Sequence, residues 1–274
     1  MNLRDRISVA GLSDTGQLRD HNEDCIGHRT DIGLLVLADG MGGLKAGEVA
    51  SAMAVEVITA ELEAELKSIT PGRHDDASGY ALESLAVGRA ILKANASIYG
   101  VAQSQPQCAG MGTTLVVVLF YDNRLTVAHV GDSRLYRLRE NDLEQITLDH
   151  SLVQELVDRG FYTPEEARHA TNKNIVTRAL GIGPEVNFDM QEEVALLGDI
   201  FLLCSDGLND MLEDAEIRDI VIENRSNLDA AAERLVAAAN AEGGRDNVSV
   251  LMARIDRSFP VKTGWFRRLV SWFD

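Results

Sequence analysis

The stretch LLVLADGMGG, residues 34–43, decides how the rest of the chain is read. A short apolar run ends in Asp39, Gly40 follows at once, and Gly42 and Gly43 come after Met41. A run of that length fits a buried strand, with the glycines marking its end. A carboxylate therefore sits at the lip of a core, on backbone that turns tightly and can be approached closely. The sequence places a metal site around Asp39.

Working outward, the pattern repeats. Asp132 follows a strand ending in Val130-Gly131, Asp206-Gly207 ends the run FLLCS, and Asp246-Asn247 opens the run NVSVLM. Glu23 and Asp24 stand before another short apolar stretch, Cys25 to Gly27. Each Asp-Gly taken singly is ordinary turn punctuation. Together, at the ends of apolar strands, they bring several carboxylates into one cleft if the strands lie side by side. Like charges that close raise pKa values unless cations neutralise them. Oxygen donors without a His or Cys pair favour Mg²⁺, Mn²⁺ or Ca²⁺ over zinc.

Between these points the hydrophobic period switches twice. Ile7 to Leu12 reads as a strand and Ser13 to Gly16 as a turn. Residues 44–66 carry Ala46, Val49, Ala50, Met53, Ala54, Val57, Ile58 and Leu62 at helical spacing, and a second helix is expected over 77–101. Leu115 to Tyr121 and Leu125 to Val130 flank Asp122-Asn123 as a hairpin, with 135–138 and 143–146 as further strands of the same meander. A short helix follows near 152–157, then a strand over 199–205, two more helices and a last strand over 247–255. Strands, two helices, strands, two helices, strand: this order predicts a layered α+β domain with sheets inside and helix pairs outside.

Bulk properties exclude some functions. Net charge is −17 and pI about 4.7, so no broad basic face exists for nucleic acid. The three cysteines, Cys25, Cys108 and Cys204, form neither a disulfide framework nor a CxxC pair, and none is followed by Arg at the Cys-x5-Arg spacing of a thiol phosphatase. Neither a signal core nor a run of about 20 apolar residues occurs, and the expected location is the cytoplasm. GMGG matches no nucleotide-binding glycine motif.

The ordered set RDHNED, LADGMGG, MGTT, VGDSRLY, TRALG, CSDGL and GGRDN resembles the motifs of the metal-dependent protein phosphatases, the PPM or PP2C-like serine/threonine phosphatases, in their compact bacterial form. The match runs over about residues 8–255. The resemblance implies a four-layer α-β-β-α sandwich, two central antiparallel sheets flanked by helix pairs, with a catalytic domain over 1–256 and a flap over about 150–185. It implies two Mn²⁺ or Mg²⁺ ions bridged by Asp39. The carbonyl of Gly40 would bind one ion, with Glu23 and Asp24 acting through water, and Asp206 and Asp246 would hold the other. Asp132, with Asp206, would hold a weaker third. Arg19 would grip the substrate phosphate, a task that suits a bidentate, permanently charged fork. The implied reaction is hydrolysis of phosphoserine or phosphothreonine in proteins by a metal-bridging water, opposing a bacterial Ser/Thr kinase. The alternative is a catalytically weak phosphoprotein-binding regulator or scaffold of the same fold; the intact set Asp39, Asp206 and Asp246 speaks against it.

Three readings stay open. Met41 stands where many eukaryotic relatives have a histidine, so the group that protonates the leaving oxygen is unassigned. His150 reads as a helix-entry residue beside the N-cap Ser151 rather than as that acid, and His169 and Arg178, at the flap, are not assigned to substrate. Residues 257–274 form an aromatic tail in which Trp265, Phe266, Leu269, Trp272 and Phe273 recur at helical spacing. It suits an interfacial helix at a membrane, a docking peptide, or a segment folded back on its own domain.

Overall fold

The structure is a computed structural model that describes residues 2–43, 46–163, 166–167, 170 and 175–261. Its strands are β1 (Ile7–Asp14), β2 (Asp24–Arg29), β3 (Leu34–Met41), β4 (Gly112–Thr113), β5 (Leu115–Tyr121), β6 (Arg124–Val130), β7 (Arg134–Arg139), β8 (Asp142–Gln145), β9 (Asp189–Val194), β10 (Ile200–Cys204) and β11 (Val248–Ile255). The helices are α1 (Ala46–Glu65), α2 (Leu82–Ser104), α3 (Leu152–Asp158), α4 (Asp206–Asn209), α5 (Asp214–Glu223) and α6 (Leu228–Ala241).

Alternation within single strands builds the layers. On β3, Leu34, Val36 and Ala38 pack with α1 and α2, while Leu35 and Leu37 face the other way. Leu115, Val117 and Leu119 of β5 join the helix side, and Val116, Val118 and Phe120 the opposite one. In the other sheet, Leu202 and Cys204 of β10 pack with α5 and α6, while Phe201 and Leu203 meet the first sheet's inner face. Phe120 and Phe201 touch edge-on across that interface, their ring centroids 5.4 Å apart. The result is helix pair, sheet, sheet, helix pair. The sheet orders are β2-β3-β5-β6-β9, with β4 on β3, and β1-β11-β10-β7-β8, and the named pairings are antiparallel.

Four expectations change. Asp122 and Asn123 do close a tight hairpin, both in the left-handed region at φ 45 and 55. But β7 and β8 are not a continuation of that meander; they belong to the second sheet, where β7 pairs with β10. The crossing is made at Gly131, φ 102, a conformation only glycine adopts freely. The second helix begins at Leu82 rather than Ala77, because Asp75 caps a turn by accepting the Ser78 N–H at 2.8 Å. The strand over 199–205 is shorter, ending at Cys204. Finally, β9 was not expected: DMQEEV has no apolar run, and it pairs along β6 at the sheet edge.

Candidate metal-dependent active site

All the sequence-selected carboxylates arrive at one end of the two sheets. Asp39 lies near the end of β3, Asp24 opens β2, Asp132 sits between β6 and β7, Asp206 follows β10 and Asp246 precedes β11. Asp24 is the register partner of Asp39. Antiparallel pairing and the crossing at Gly131 thus set ends and beginnings of strands next to each other.

Backbone contacts hold these residues in place. Asp39 is fixed from both sides of its peptide: its N–H donates to Thr114 Oγ1 at 3.1 Å, and its carbonyl accepts from Thr114 N and Thr113 Oγ1, both at 2.8 Å. Thr114 Oγ1 is also 2.7 Å from Ser133 Oγ, which ties the Asp39 strand end to the Asp132 loop. Asn247 accepts the Glu23 N–H at 2.8 Å and donates to the carbonyls of Thr15 and His21, seating the 15–23 loop against the start of β11. Ser205 donates to Asp24 Oδ2 at 2.8 Å. The glycines allow backbones to meet. A Cβ on Gly40 would lie 2.1 Å from the Gly47 carbonyl oxygen, and one on Gly207 2.0 Å from that of Asn247. The hydroxyls of Thr113, Thr114, Ser133 and Ser205, to which the sequence assigns no role in the site, position the carboxylates. In the sequence a serine adjoins only two of the motif aspartates, Ser133 beside Asp132 and Ser205 beside Asp206.

The electrostatics are strained. Asp39 and Asp206 are surrounded by protein yet keep part of their surface open. Burial pushes both carboxyls well above the usual carboxylate range; the charges of Asp24, Asp206, Asp132 and Asp246 push Asp39 further, and those of Asp132, Asp210, Asp246 and Asp24 push Asp206. Burial raises Asp24 to about 6 against hydrogen bonds that lower it. It raises Asp132 to about 6 as well, with the charge of Asp149 adding to it. Against this stand Arg134, whose charge lowers Asp132, and the half-exposed Arg19, whose Nη2 lies 2.6 Å from Asp246 Oδ2. Glu23 Oε1, Asp24 Oδ1 and Asp206 Oδ1 are buried with no hydrogen-bond partner. Buried anionic oxygens without donors are costly, and cations are what such oxygens fit. The donor set is all oxygen, the chemistry of Mg²⁺ or Mn²⁺.

A second cluster contrasts with this one. His129 and His150 stack at 4.6 Å beside Asp189, and Arg178 Nη1 lies 3.0 Å from Asp189 Oδ1. The cluster supplies its own cation, and one nitrogen of each ring is committed: His129 Nε2 faces the Leu148 carbonyl at 2.8 Å, and His150 Nδ1 accepts from the Gly131 N–H at 3.2 Å. His150 does precede the N-cap Ser151, which accepts the Gln154 N–H, and it also braces the backbone beside Asp132. His169 lies outside the described residues. Cys108 and Cys204 are buried and Cys25 is partly so, as structural thiols would be.

Known proteins match this geometry. Residues 17–249 match the family model described as Protein phosphatase 2C. Protein phosphatase PhpP of Streptococcus pneumoniae is 37% identical over 254 residues, spanning 91% of this chain and 98% of that protein. A crystal structure of the Mycobacterium tuberculosis serine/threonine phosphatase PstP superposes with a TM-score of 0.81 at 38% identity, covering 92% of this chain and 100% of that one. Another, of the PstP catalytic domain in complex with two manganese ions, gives 0.78 at 38% identity over 91% and 98%. The chain belongs to the protein phosphatase 2C family.

Proposed function

We propose that the protein is a metal-dependent protein serine/threonine phosphatase, with residues 1–256 as its catalytic domain and about 150–185 as its flap. One observation carries the site assignment: Asp39, Asp206, Asp24 and Glu23 converge as oxygen donors, three of them with a buried oxygen that no protein group satisfies. Asp39 would be shared between two Mn²⁺ or Mg²⁺ ions, with the Gly40 carbonyl, Glu23 and Asp24 on one side and Asp206 and Asp246 on the other. Asp132 and Asp206 would hold a weaker third. The complex of the related PstP with two manganese ions supports this reading. Bound there, such ions lower the pKa of water and polarise phosphoryl oxygens.

The chain's own residues do the rest. Arg19 stands at the rim beside Asp246, placed to exchange that carboxylate for a substrate phosphate and to orient it by a two-donor fork. Thr113 and Thr114 keep Asp39 from shifting as substrate enters. Met41 donates no proton, and His150 Nδ1 accepts from the Gly131 N–H, so neither is assigned as the group that protonates the leaving oxygen. Phosphoproteins are the substrates, a partner kinase among them, and the acidic surface disfavours nucleic acid. Among the described residues no helix is long and apolar enough to cross a membrane.

The test is phosphate release from a phosphothreonine peptide with Mn²⁺ and with Mg²⁺. Activity is expected with metal and absent in excess chelator. Release that is indifferent to chelation would refute the reading.

A further inference from the structure

A cavity of about 230 Å³ lies on the six-stranded sheet at the end away from Asp39. Ile32, Leu66, Ile69, Pro71, Leu119 and Tyr121 form its apolar wall. Glu83, 4% exposed, also lines it; its Oε1 accepts from Gly72 N at 3.3 Å, while Oε2 is buried with no partner. Arg29, Asp31, Glu63 and Lys67 also line it, with Arg29 paired to Asp31 and Glu63 and Lys67 to Glu63; an apolar wall with an unsatisfied acceptor at Glu83, beside charges already paired, fits an apolar group carrying one donor. An apolar cavity of about 150 Å³ already holds a benzene ring, so an indole fits the larger space.

The path of the chain leads there. After β11, Phe259 packs edge-on against Phe120 at 6.3 Å, and its N–H donates to Asn123 Oδ1 at 2.6 Å. Val261 N donates to Asp122 Oδ1 at 2.7 Å, and a Cβ placed on Gly72 would lie 3.8 Å from the Val261 side chain. The last described residue is thus stitched beside Pro71-Gly72 and Tyr121-Asp122, at the cavity's border. Trp265 lies four residues further, within a reach of about 14 Å. Residues 262–274 also carry Lys262, Arg267 and Arg268 against the single carboxylate side chain of Asp274, on a chain whose net charge is −17. A basic aromatic segment tethered to an acidic domain is drawn onto it.

We infer that the tail folds back on its own domain, with the Trp265 indole seated in the cavity among Leu66, Ile69 and Tyr121 and its N–H donating to Glu83. The tail is then a clasp between the far end of the sheet and α1, remote from the carboxylates.

Both tryptophans of the chain are in this segment, so intrinsic fluorescence reads it without labels. The full chain carrying Trp272→Phe leaves Trp265 as sole emitter. The expected result is blue-shifted emission, with acrylamide quenching several-fold weaker than in the free peptide of residues 262–274. Leu66→Arg and Ile69→Arg, each checked for folding by circular dichroism, should return both readings to the peptide's values. Emission equal to that of the free peptide would overturn the inference. So would buried emission that neither substitution alters, since the tail would then cover another surface. An emission shift that appears only on adding phosphatidylglycerol vesicles would overturn it in favour of a membrane.

Discussion

Strand β10 carries an aspartate at each end, and the two live differently. Asp199, just before Ile200, is 2% exposed and fully answered: Arg139 grips it through Nε at 2.9 Å and Nη2 at 2.7 Å, and Leu196 N donates at 2.8 Å. Asp206, just after Cys204, faces Asp39, Asp132 and Asp246, and its Oδ1 has no donor. Asp199 is built with its counter-charge; Asp206 is left with an oxygen that no donor answers, and the fold bears the cost. The same contrast separates the His129–His150–Asp189 cluster, which contains Arg178, from the aspartate cleft. Counting acidic residues would not tell the two ends of β10 apart; their partners do.

The largest effect should come from treating the two kinds of aspartate alike. Asp39→Asn should lower kcat/KM with Mn²⁺ by more than about a hundredfold, since even the partners of metal ligands cost 10–100-fold when removed. Asp199→Asn should leave turnover per folded molecule close to the unsubstituted value. It should instead cost about 2–3 kcal/mol of stability, less than a fully buried pair because Arg139 is one-third exposed. Urea unfolding alongside phosphopeptide kinetics separates the two. Comparable loss of turnover in both variants would erase the distinction.

Next in size is a reversal of sign. In chelator, Asp206→Asn removes a buried, repelled carboxylate and should raise the melting temperature, whereas the same change should reduce the gain in melting temperature on adding Mn²⁺. Thermal scans with and without metal measure both. A variant that melts below the unsubstituted protein in chelator would show that Asp206 is structurally required.

The pH dependence follows from Asp24 and Asp132, both raised to about 6 chiefly by burial. A carboxyl raised above its unfolded value, about 3.9, binds more protons folded than unfolded between those limits. Its stabilising share is therefore complete at low pH and lost as pH climbs from about 4 through 6, on the order of 3 kcal/mol per group. Chelated protein should thus unfold at higher urea at pH 5 than at pH 7.5. With Mn²⁺ the order should invert, because a cation competes with the protons. A chelated protein equally stable at both values would mean the cleft is already neutralised.

How much of this the sequence carried depends on the kind of signal. β3 and α1 were legible because burial imposes a period on their residues, and Asp122-Asn123 because a two-residue turn demands left-handed backbone. The carboxylates were legible because each abuts an apolar run. β9 was not: at a sheet edge its backbone pairing, not its side chains, makes the strand. Nor could composition show that β7 leaves the first sheet, since that turns on one glycine between two similar apolar strands. The silent part of the site is the hydroxyls of Thr114, Ser133 and Ser205, residue types too common to carry information until geometry brings them to an aspartate.

The smallest expected effect on stability, and the finest use of the contrast, concerns Arg19. Its pair with Asp246 looks like the Arg139–Asp199 pair on paper, yet Arg19 is half-exposed and Asp246 one-third exposed. Such pairs contribute about 0–1 kcal/mol, so Arg19→Ala should leave urea unfolding almost unmoved, unlike a change at Arg139. Its effect should appear in kinetics: a raised KM for phosphopeptide from the lost phosphate contact. Arg19→Lys should recover only part of that affinity, because an ammonium is a point charge without the two-donor fork. If Arg19→Ala instead destabilised the protein as strongly as Arg139→Ala, with KM unchanged, Arg19 would belong with the structural cations and the phosphate contact would have to be sought elsewhere on the rim.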